Sequence, residues 1–130
     1  MSLYEFHGWF TLWPFGTDND DTNIVVHRKN ELIELMSRMD WLAGASEVLR
    51  LNGEFYLRLH GNVDYSDDRS ADIDRILAFL SLRLSGSHGM LHERCDPENA
   101  SSRSEPGAFR VRVMTRGAVQ VQDDPFFSHV

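Results

Sequence analysis

The chain has 130 residues, of which 42% are hydrophobic and 11% aromatic, and a formal net charge of −7. This composition predicts one soluble globular domain over residues 1–130 and excludes a disordered chain. No apolar run reaches the ~18–20 residues of a membrane-spanning helix, and the first residues lack a signal-peptide pattern. A single cysteine excludes a disulfide framework, so we expect a cytoplasmic protein. The acidic balance disfavours free nucleic acid as a ligand.

The first two predicted elements are a strand and a helix. Residues 4–13 alternate with a period of two and carry large side chains on both faces, which is typical of a central strand. After a polar loop, Thr22 or Asn23 is a candidate N-cap for a helix that extends to about residue 39. Apolar residues recur along it at helical spacing: Val25, Leu32, Leu35, Met36 and Met39.

Residues 47–63 predict a β-hairpin around Asn52-Gly53. Two turn lengths are compatible with this segment. A two-residue turn pairs Leu51 with Glu54, whereas a three-residue loop pairs Arg50 with Glu54. We prefer the three-residue loop because it aligns the apolar side chains on one face. These side chains are Leu49, Phe55, Leu57 and Leu59.

The second half of the chain predicts a helix followed by three strands. Ser70 is the candidate N-cap of this helix, which ends at Gly86. Strands follow at about 89–95 and 109–114, and a turn at Arg116-Gly117 leads into the last one. The helix carries an apolar stripe of Ile73, Ile76, Leu77, Leu80 and Leu84. An odd-length loop in the last hairpin would align Val111 and Val113 with Val119 and Val121.

The element order βαββαβββ predicts an α+β fold. We expect two helices on one face of a mainly antiparallel sheet, roughly ferredoxin-like, with an added C-terminal hairpin. Trp9 and Tyr56 then lie on the face without helices. With the preferred registers, five arginines share that face: Arg50, Arg58, Arg94, Arg110 and Arg112.

One stretch, Gly86–Asp96, holds two histidines and the single cysteine. His88 and His92 would share a metal ion on a helix, but on a strand residues four apart are separated by ~13 Å. His92 and Cys95 point to opposite faces of a strand, which removes a thiol–imidazole pair. We therefore predict a strand with no catalytic residue, no metal site and no cofactor.

Three segments of the chain form recognisable motifs. The first is Phe6-His7-Gly8-Trp9, and the second is the strand Gly86–Asp96, which contains Gly89 and Arg94. The third is Arg116-Gly117 followed by an acidic spacer and Asp124-Pro125-Phe126-Phe127-Ser128. In this order the three segments resemble motifs of the immunity protein 7 family of bacterial polymorphic toxin systems. The chain departs from the family pattern at His88, His92 and Cys95, where Tyr, Tyr and Asp are expected.

The resemblance implies a non-enzymatic antidote that binds and blocks a cognate toxin domain. The acidic charge favours a nuclease as the toxin, since a nuclease active site is basic. Candidate toxin-binding residues are Asp96, Asp123 and Asp124, of which the last two precede the apolar Pro125 and Phe126. Phe126 is equally compatible with pinning the tail to the core.

Other functions are compatible with parts of the pattern. The helix-free face, with Trp9, Tyr56 and its predicted arginines, is compatible with a nucleic-acid or anion-binding sheet. The same face is compatible with a homodimer contact or with arginine stems that cover the tryptophans. A small hydrolase would use His7, His60 or His88 with a loop aspartate, but no spacing supports one.

Overall fold

The computed structural model describes residues 3–14, 22–95 and 109–123. The order of elements in this part of the chain is βαββαβββ, which confirms the predicted α+β class. A short 3-10 helix, Asp40–Leu42, follows the first α-helix and was not predicted. The strands and α-helices are β1 (Leu3–Leu12), α1 (Thr22–Ser37), β2 (Ser46–Leu51), β3 (Glu54–Asp64), α2 (Asp67–Arg83), β4 (His88–Cys95), β5 (Arg110–Thr115) and β6 (Ala118–Asp123).

The strands form one sheet in the order β2-β3-β1-β4-β5-β6, and all neighbours are antiparallel. The first four strands lie in the order of a ferredoxin-like βαββαβ unit. The β5–β6 hairpin extends this unit beyond β4. β1 is central, as the large side chains on both of its faces predict.

The core lies between the sheet and the two helices. The predicted inner face of β1 is buried, with Tyr4 and Phe6 at 0% exposure. Both helices bury their predicted apolar stripes against this face, because each presents a stripe at helical spacing. Buried members of the core include Phe10, Leu12, Val25, Leu32, Met36, Leu57, Leu59, Ile73, Ile76, Leu77, Leu80 and Leu84. We call the opposite side of the sheet the free face.

The start of α2 differs from the prediction, because Ser66 and not Ser70 is its N-cap. The Ser66 hydroxyl accepts a hydrogen bond of 3.1 Å from the Arg69 amide. Asp67 and Asp68 occupy the first turn, where their negative charges interact favourably with the positive end of the helix dipole and stabilise the helix. These interactions start the helix one turn earlier than Ser70 would.

The β2–β3 hairpin has a two-residue turn, so the preferred three-residue loop is wrong. Leu51 pairs with Glu54, and Asn52 and Gly53 have φ values of 52° and 81°. Positive φ at both turn residues defines a type I′ turn, whose twist matches that of antiparallel strands. Arg50 consequently points to the helix side, where its guanidinium lies 5.7 Å from the Phe55 ring centre.

The β5–β6 hairpin has the same kind of turn, and its predicted odd-length register is also wrong. Thr115 pairs with Ala118, and φ is 49° at Arg116 and 79° at Gly117. Val111 and Val113 therefore point to the free face, whereas the two valines of β6 point to the helix side.

The observed registers place the five arginines on both faces of the sheet. Arg58 and Arg94 lie on the free face, opposite Trp9 and Glu5 on β1. Arg50, Arg110 and Arg112 lie on the helix side, so the prediction that all five share the free face is wrong.

Candidate functional site

The stretch Gly86–Asp96 forms strand β4 over His88–Cys95, as predicted. His88 and His92 point to the free face, and Cys95 is buried on the other side. Among residues 3–14, 22–95 and 109–123, no group of three or more His, Cys, Asp or Glu side chains is placed to hold a metal ion.

Two glycines of the family-like motifs allow β1 and β4 to pack closely. A Cβ atom added at Gly89 would lie 2.1 Å from the carbonyl oxygen of Trp9. A Cβ atom at Gly8 would lie 2.8 Å from Cδ1 of Leu91. Gly89 thus excludes a side chain, because the atom in the way belongs to the backbone, whereas a side chain at Gly8 would require the Leu91 side chain to shift.

Two further motif glycines lie near the C-terminal end of α2. The Gly86 amide donates a hydrogen bond of 2.8 Å to the Trp13 carbonyl. A Cβ atom at Gly117 would lie 3.2 Å from the carbonyl oxygens of both Ser81 and Ser85. The turn between β5 and β6 therefore packs against the end of the helix.

His7, Trp9 and Arg94 lie together on the free face. Glu5 accepts from Nη2 of Arg94 at 2.8 Å and lies 2.8 Å from Nε2 of His7. The hydrogen bond with His7, and then the charge of Arg94, lowers the pKa of Glu5 below its ordinary value. The Trp9 ring is 46% exposed. The Arg94 guanidinium lies 5.2 Å from the Phe109 ring centre.

The charges of the free face are largely compensated within the face itself. Nη2 of Arg58 lies 3.2 Å from Oε1 of Glu47, so both arginines of this face contact a glutamate. The cleft beside Trp9 has a volume of about 430 Å³, and its lining includes histidine, tryptophan and methionine side chains together with Arg58, which is paired with Glu47. A phosphate-binding surface needs an excess of positive charge, which this face does not present.

A buried ionic network lies on the opposite side of β4. Glu93 is 1% exposed, and its Oε1 accepts hydrogen bonds from the Tyr4 hydroxyl at 2.7 Å and from Nη2 of Arg112 at 3.1 Å. Its Oε2 accepts from Nε of Arg110 at 2.8 Å. Nη1 of Arg112 also donates to Oδ1 of Asp74 on α2 at 2.6 Å. Sequence reasoning missed this network, because it assigned both arginines to the wrong face.

The network shifts the pKa values of its members. Burial raises the pKa of Glu93, but the charges of Arg112 and Arg110 and the Tyr4 hydrogen bond outweigh it and hold the pKa below its ordinary value. Burial, followed by the adjacent Glu93 carboxylate, raises the pKa of the Tyr4 hydroxyl. At neutral pH Glu93 is thus a charged structural group and not a proton donor.

Exposed carboxylates collect at one end of the sheet, which we call the acidic end. Asp64 ends β3, Asp67 and Asp68 begin α2, and Asp123 ends β6. β3 and β6 are four strand spacings apart, or ~19 Å. Arg69 donates to the main-chain carbonyl of Asp64 and not to its carboxylate. No ion pair within the described part of the chain involves the four acidic-end carboxylates.

Most carboxylates elsewhere on the described surface have cationic partners; Asp40 and Glu54 are the two that form no ion pair with a described residue. The pairs are Glu5–Arg94, Glu31–Arg83, Glu34–Arg38, Glu47–Arg58, Asp72–Arg75 and Asp74–Arg112. The acidic end therefore holds four of the six carboxylates that form no ion pair within the described part of the chain.

The candidate toxin-binding residues fall partly within the described structure. Asp123 is exposed at the acidic end. Asp96, Asp124, Pro125 and Phe126 lie outside the described residues. In the sequence, Asp96 directly follows the last residue of β4, and Asp124 directly follows the last residue of β6.

Comparison with known protein families identifies the family of the chain. The model of the family described as immunity protein 7 matches residues 3–130. The chain belongs to the immunity protein 7 family. Members of this family are immunity proteins directed against toxins, and they are not enzymes. No curated protein and no solved structure matches the chain.

The structural roles of the motif residues and of Glu93 agree with membership of a non-enzymatic family. The motif glycines shape the sheet, and the buried carboxylate carries a structural ion pair. Within the described residues, no helix is long and apolar enough to cross a membrane. The surface features left for binding are the acidic end, the free face and the sheet edges.

Proposed function

We propose that this immunity protein neutralises its cognate toxin domain in the cytoplasm by covering a basic surface of the toxin with its acidic end. The observation that carries the proposal is that Asp64, Asp67, Asp68 and Asp123 lie at one end of the sheet and form no ion pair with any described residue. Asp96 and Asp124 belong to the same proposed surface, since each follows a described strand directly in the sequence.

The charge of the surface indicates the chemistry of the toxin. A protein that holds nucleic-acid phosphates has a cleft lined with arginine and lysine. Carboxylates opposite such cations form short, charge-assisted hydrogen bonds, and their field accelerates the encounter. A nuclease toxin of the polymorphic type therefore fits this surface best. The free face fits such a cleft less well, because its carboxylates Glu5 and Glu47 are already paired with Arg94 and Arg58.

Binding kinetics with a charge-matched control test this proposal. The binding partner is a catalytically inactive form of the toxin domain encoded beside the immunity gene. The variant Asp64→Asn/Asp123→Asn/Asp124→Asn removes three charges at the acidic end. The control Glu34→Gln/Asp40→Asn/Glu54→Gln removes three exposed charges elsewhere.

The acidic-end variant should lower the association rate constant about tenfold at low salt and flatten its dependence on ionic strength. The control should change both quantities much less, because it alters the net charge equally but not the local field. Equal effects of the two variants would show that only the overall charge matters. An unchanged rate for the acidic-end variant would contradict the proposal.

A further inference from the structure

β6 is the most exposed strand of the described sheet. β6 is the last strand in the order, and none of the described residues pairs with its outer side. All six of its residues, Ala118–Asp123, are exposed. A strand in this position presents unpaired amide and carbonyl groups to any extended segment that approaches it.

The register identifies the groups that point outward. Thr115 and Ala118 flank the two-residue turn directly, so they form a hydrogen-bonded pair. Hydrogen-bonded and non-hydrogen-bonded pairs alternate along an antiparallel ladder. The main-chain groups of Val119, Val121 and Asp123 therefore point away from β5. Their side chains lie on the helix side of the sheet.

β6 lacks the features that normally protect an edge strand. Edge strands commonly carry charges or proline, which prevent pairing with another chain. Residues 118–122 contain neither, and Val119 and Val121 are 39% and 54% exposed. β2 at the opposite edge carries Glu47 and Arg50. The two edges therefore differ in a way that favours strand addition at β6.

We infer that β6 accepts an extended strand of the toxin domain, which continues the sheet beyond its last strand. This inference rests on the proposed function and names part of its contact surface. The incoming strand would hydrogen-bond to the outward groups of Val119, Val121 and Asp123. It would carry apolar side chains at alternate positions, which pack on the two valines, and a lysine or arginine near Asp123.

The charge of the chain favours a basic partner over a second copy. Each copy has a net charge of −7, so pairing of two β6 edges would bring two acidic proteins together. β6 ends at Asp123, and its edge is thus continuous with the acidic end. A basic partner would gain from both features, whereas a second copy would be opposed by charge.

Amide hydrogen exchange of the complex with the inactive toxin domain tests the inference residue by residue. The amides of Val119, Val121 and Asp123 should exchange at least about tenfold more slowly in the complex than in the free protein. The outward amides of the other edge strand, at Ser46, Val48 and Arg50, serve as the internal control. Their exchange should remain unchanged.

A pair of variants with matched exposure provides the second test. Val121→Lys places a charge on the β6 edge, and Leu51→Lys places the same charge on β2. The two wild-type side chains are 54% and 55% exposed, so both variants should fold normally. Val121→Lys should raise the dissociation constant at least about tenfold, because it puts a cation against a basic strand. Leu51→Lys should leave it within about twofold.

The outcomes distinguish failure of this inference from failure of the proposed function. A complex that forms without protection of the β6 amides would overturn strand addition and leave the toxin-binding function standing. Protection that increases with the concentration of the immunity protein alone would identify a second copy as the occupant and overturn the inference. Absence of any complex would overturn both.

Discussion

Glu93 and Arg112 form a buried ion pair between adjacent strands, with Oε1 of Glu93 3.1 Å from Nη2 of Arg112. Arg112 also donates a hydrogen bond to Asp74 on α2, and Glu93 accepts a hydrogen bond from Tyr4 on β1. Nε of Arg112 lies 2.8 Å from Oε2 of Glu93 but has no hydrogen bond. The pair therefore connects β1, β4, β5 and α2, and it fixes the place where the β5–β6 hairpin joins the ferredoxin-like unit.

Removal of the Glu93 charge should destabilise the protein strongly. Glu93→Gln leaves the guanidinium groups of Arg110 and Arg112 without their common anion, which should cost about 3–5 kcal/mol of unfolding free energy. The control Glu47→Gln breaks the exposed pair with Arg58 and should cost less than about 1 kcal/mol. Urea denaturation measures both values. Similar costs for the two variants would show that the buried pair contributes little.

The stability should also depend on pH through Glu93. Its pKa is lower in the folded protein than the value of about 4.3 in an unfolded chain. The stabilisation is therefore fully present above the unfolded pKa and is lost as the pH falls through the folded pKa. The unfolding free energy measured from pH 7 to pH 3 should fall more steeply in the wild type than in Glu93→Gln. Parallel curves would contradict this assignment.

The two hairpin turns should respond differently to the same substitution. Gly53 and Gly117 both have positive φ, so an alanine at either position should cost about 1–2 kcal/mol. A Cβ atom at Gly53 meets open space, whereas one at Gly117 lies 3.2 Å from two carbonyl oxygens of the α2 end. Gly117→Ala should therefore be the more destabilising variant in thermal unfolding. The opposite order would show that the turn does not pack against the helix.

The sequence patterns predicted the order of elements and the composition of the core, but not the hairpin registers. Alternating and helical spacings identify buried faces, since burial requires a repeated side-chain direction. A shift by one residue exchanges the two faces of a strand, and turn length decides that shift. Alignment of Leu49 with Phe55 favoured the odd loop, but the structure places Leu49 on the free face. The Asn52-Gly53 dipeptide was the better signal, since it is typical of type I′ turns.

The wrong face assigned to β5 explains why the buried network was not predicted. In the observed pairing of β5 with β4, Arg110 and Arg112 lie on the helix side, opposite Glu93 and Leu91 of β4. Apolar patterning carries no information about such partners, because a buried charge looks like an exception to the pattern. For the candidate site, the sequence indicated the exposed Asp123. The convergence of Asp64, Asp67 and Asp68 at the same end depends on strand order.

Gly89 should tolerate no side chain. A Cβ atom there would lie 2.1 Å from the main-chain oxygen of Trp9, which cannot move without breaking the β1–β4 ladder. Gly89→Ala should therefore cost more than about 3 kcal/mol, the upper range for overpacked sites. Gly44 also has a positive φ, but a Cβ atom added there would meet no atom within 4 Å, so Gly44→Ala should cost clearly less unfolding free energy. Chemical denaturation of the two variants gives the comparison.

Trp9→Ala distinguishes the acidic end from the free face as the toxin-binding surface. Trp9 is 46% exposed, and its ring centre lies 6.4 Å from that of His88 in an edge-to-face arrangement. Loss of the ring should therefore cost less than about 2 kcal/mol of stability. A buried tryptophan at the centre of an interface typically contributes 2 kcal/mol or more, which corresponds to ~30-fold in the dissociation constant. Because the free face lies outside the proposed contact, Trp9→Ala should change the dissociation constant for the toxin domain by less than about twofold. A loss of ~30-fold, with unchanged binding of Asp123→Asn, would place the toxin on the free face instead.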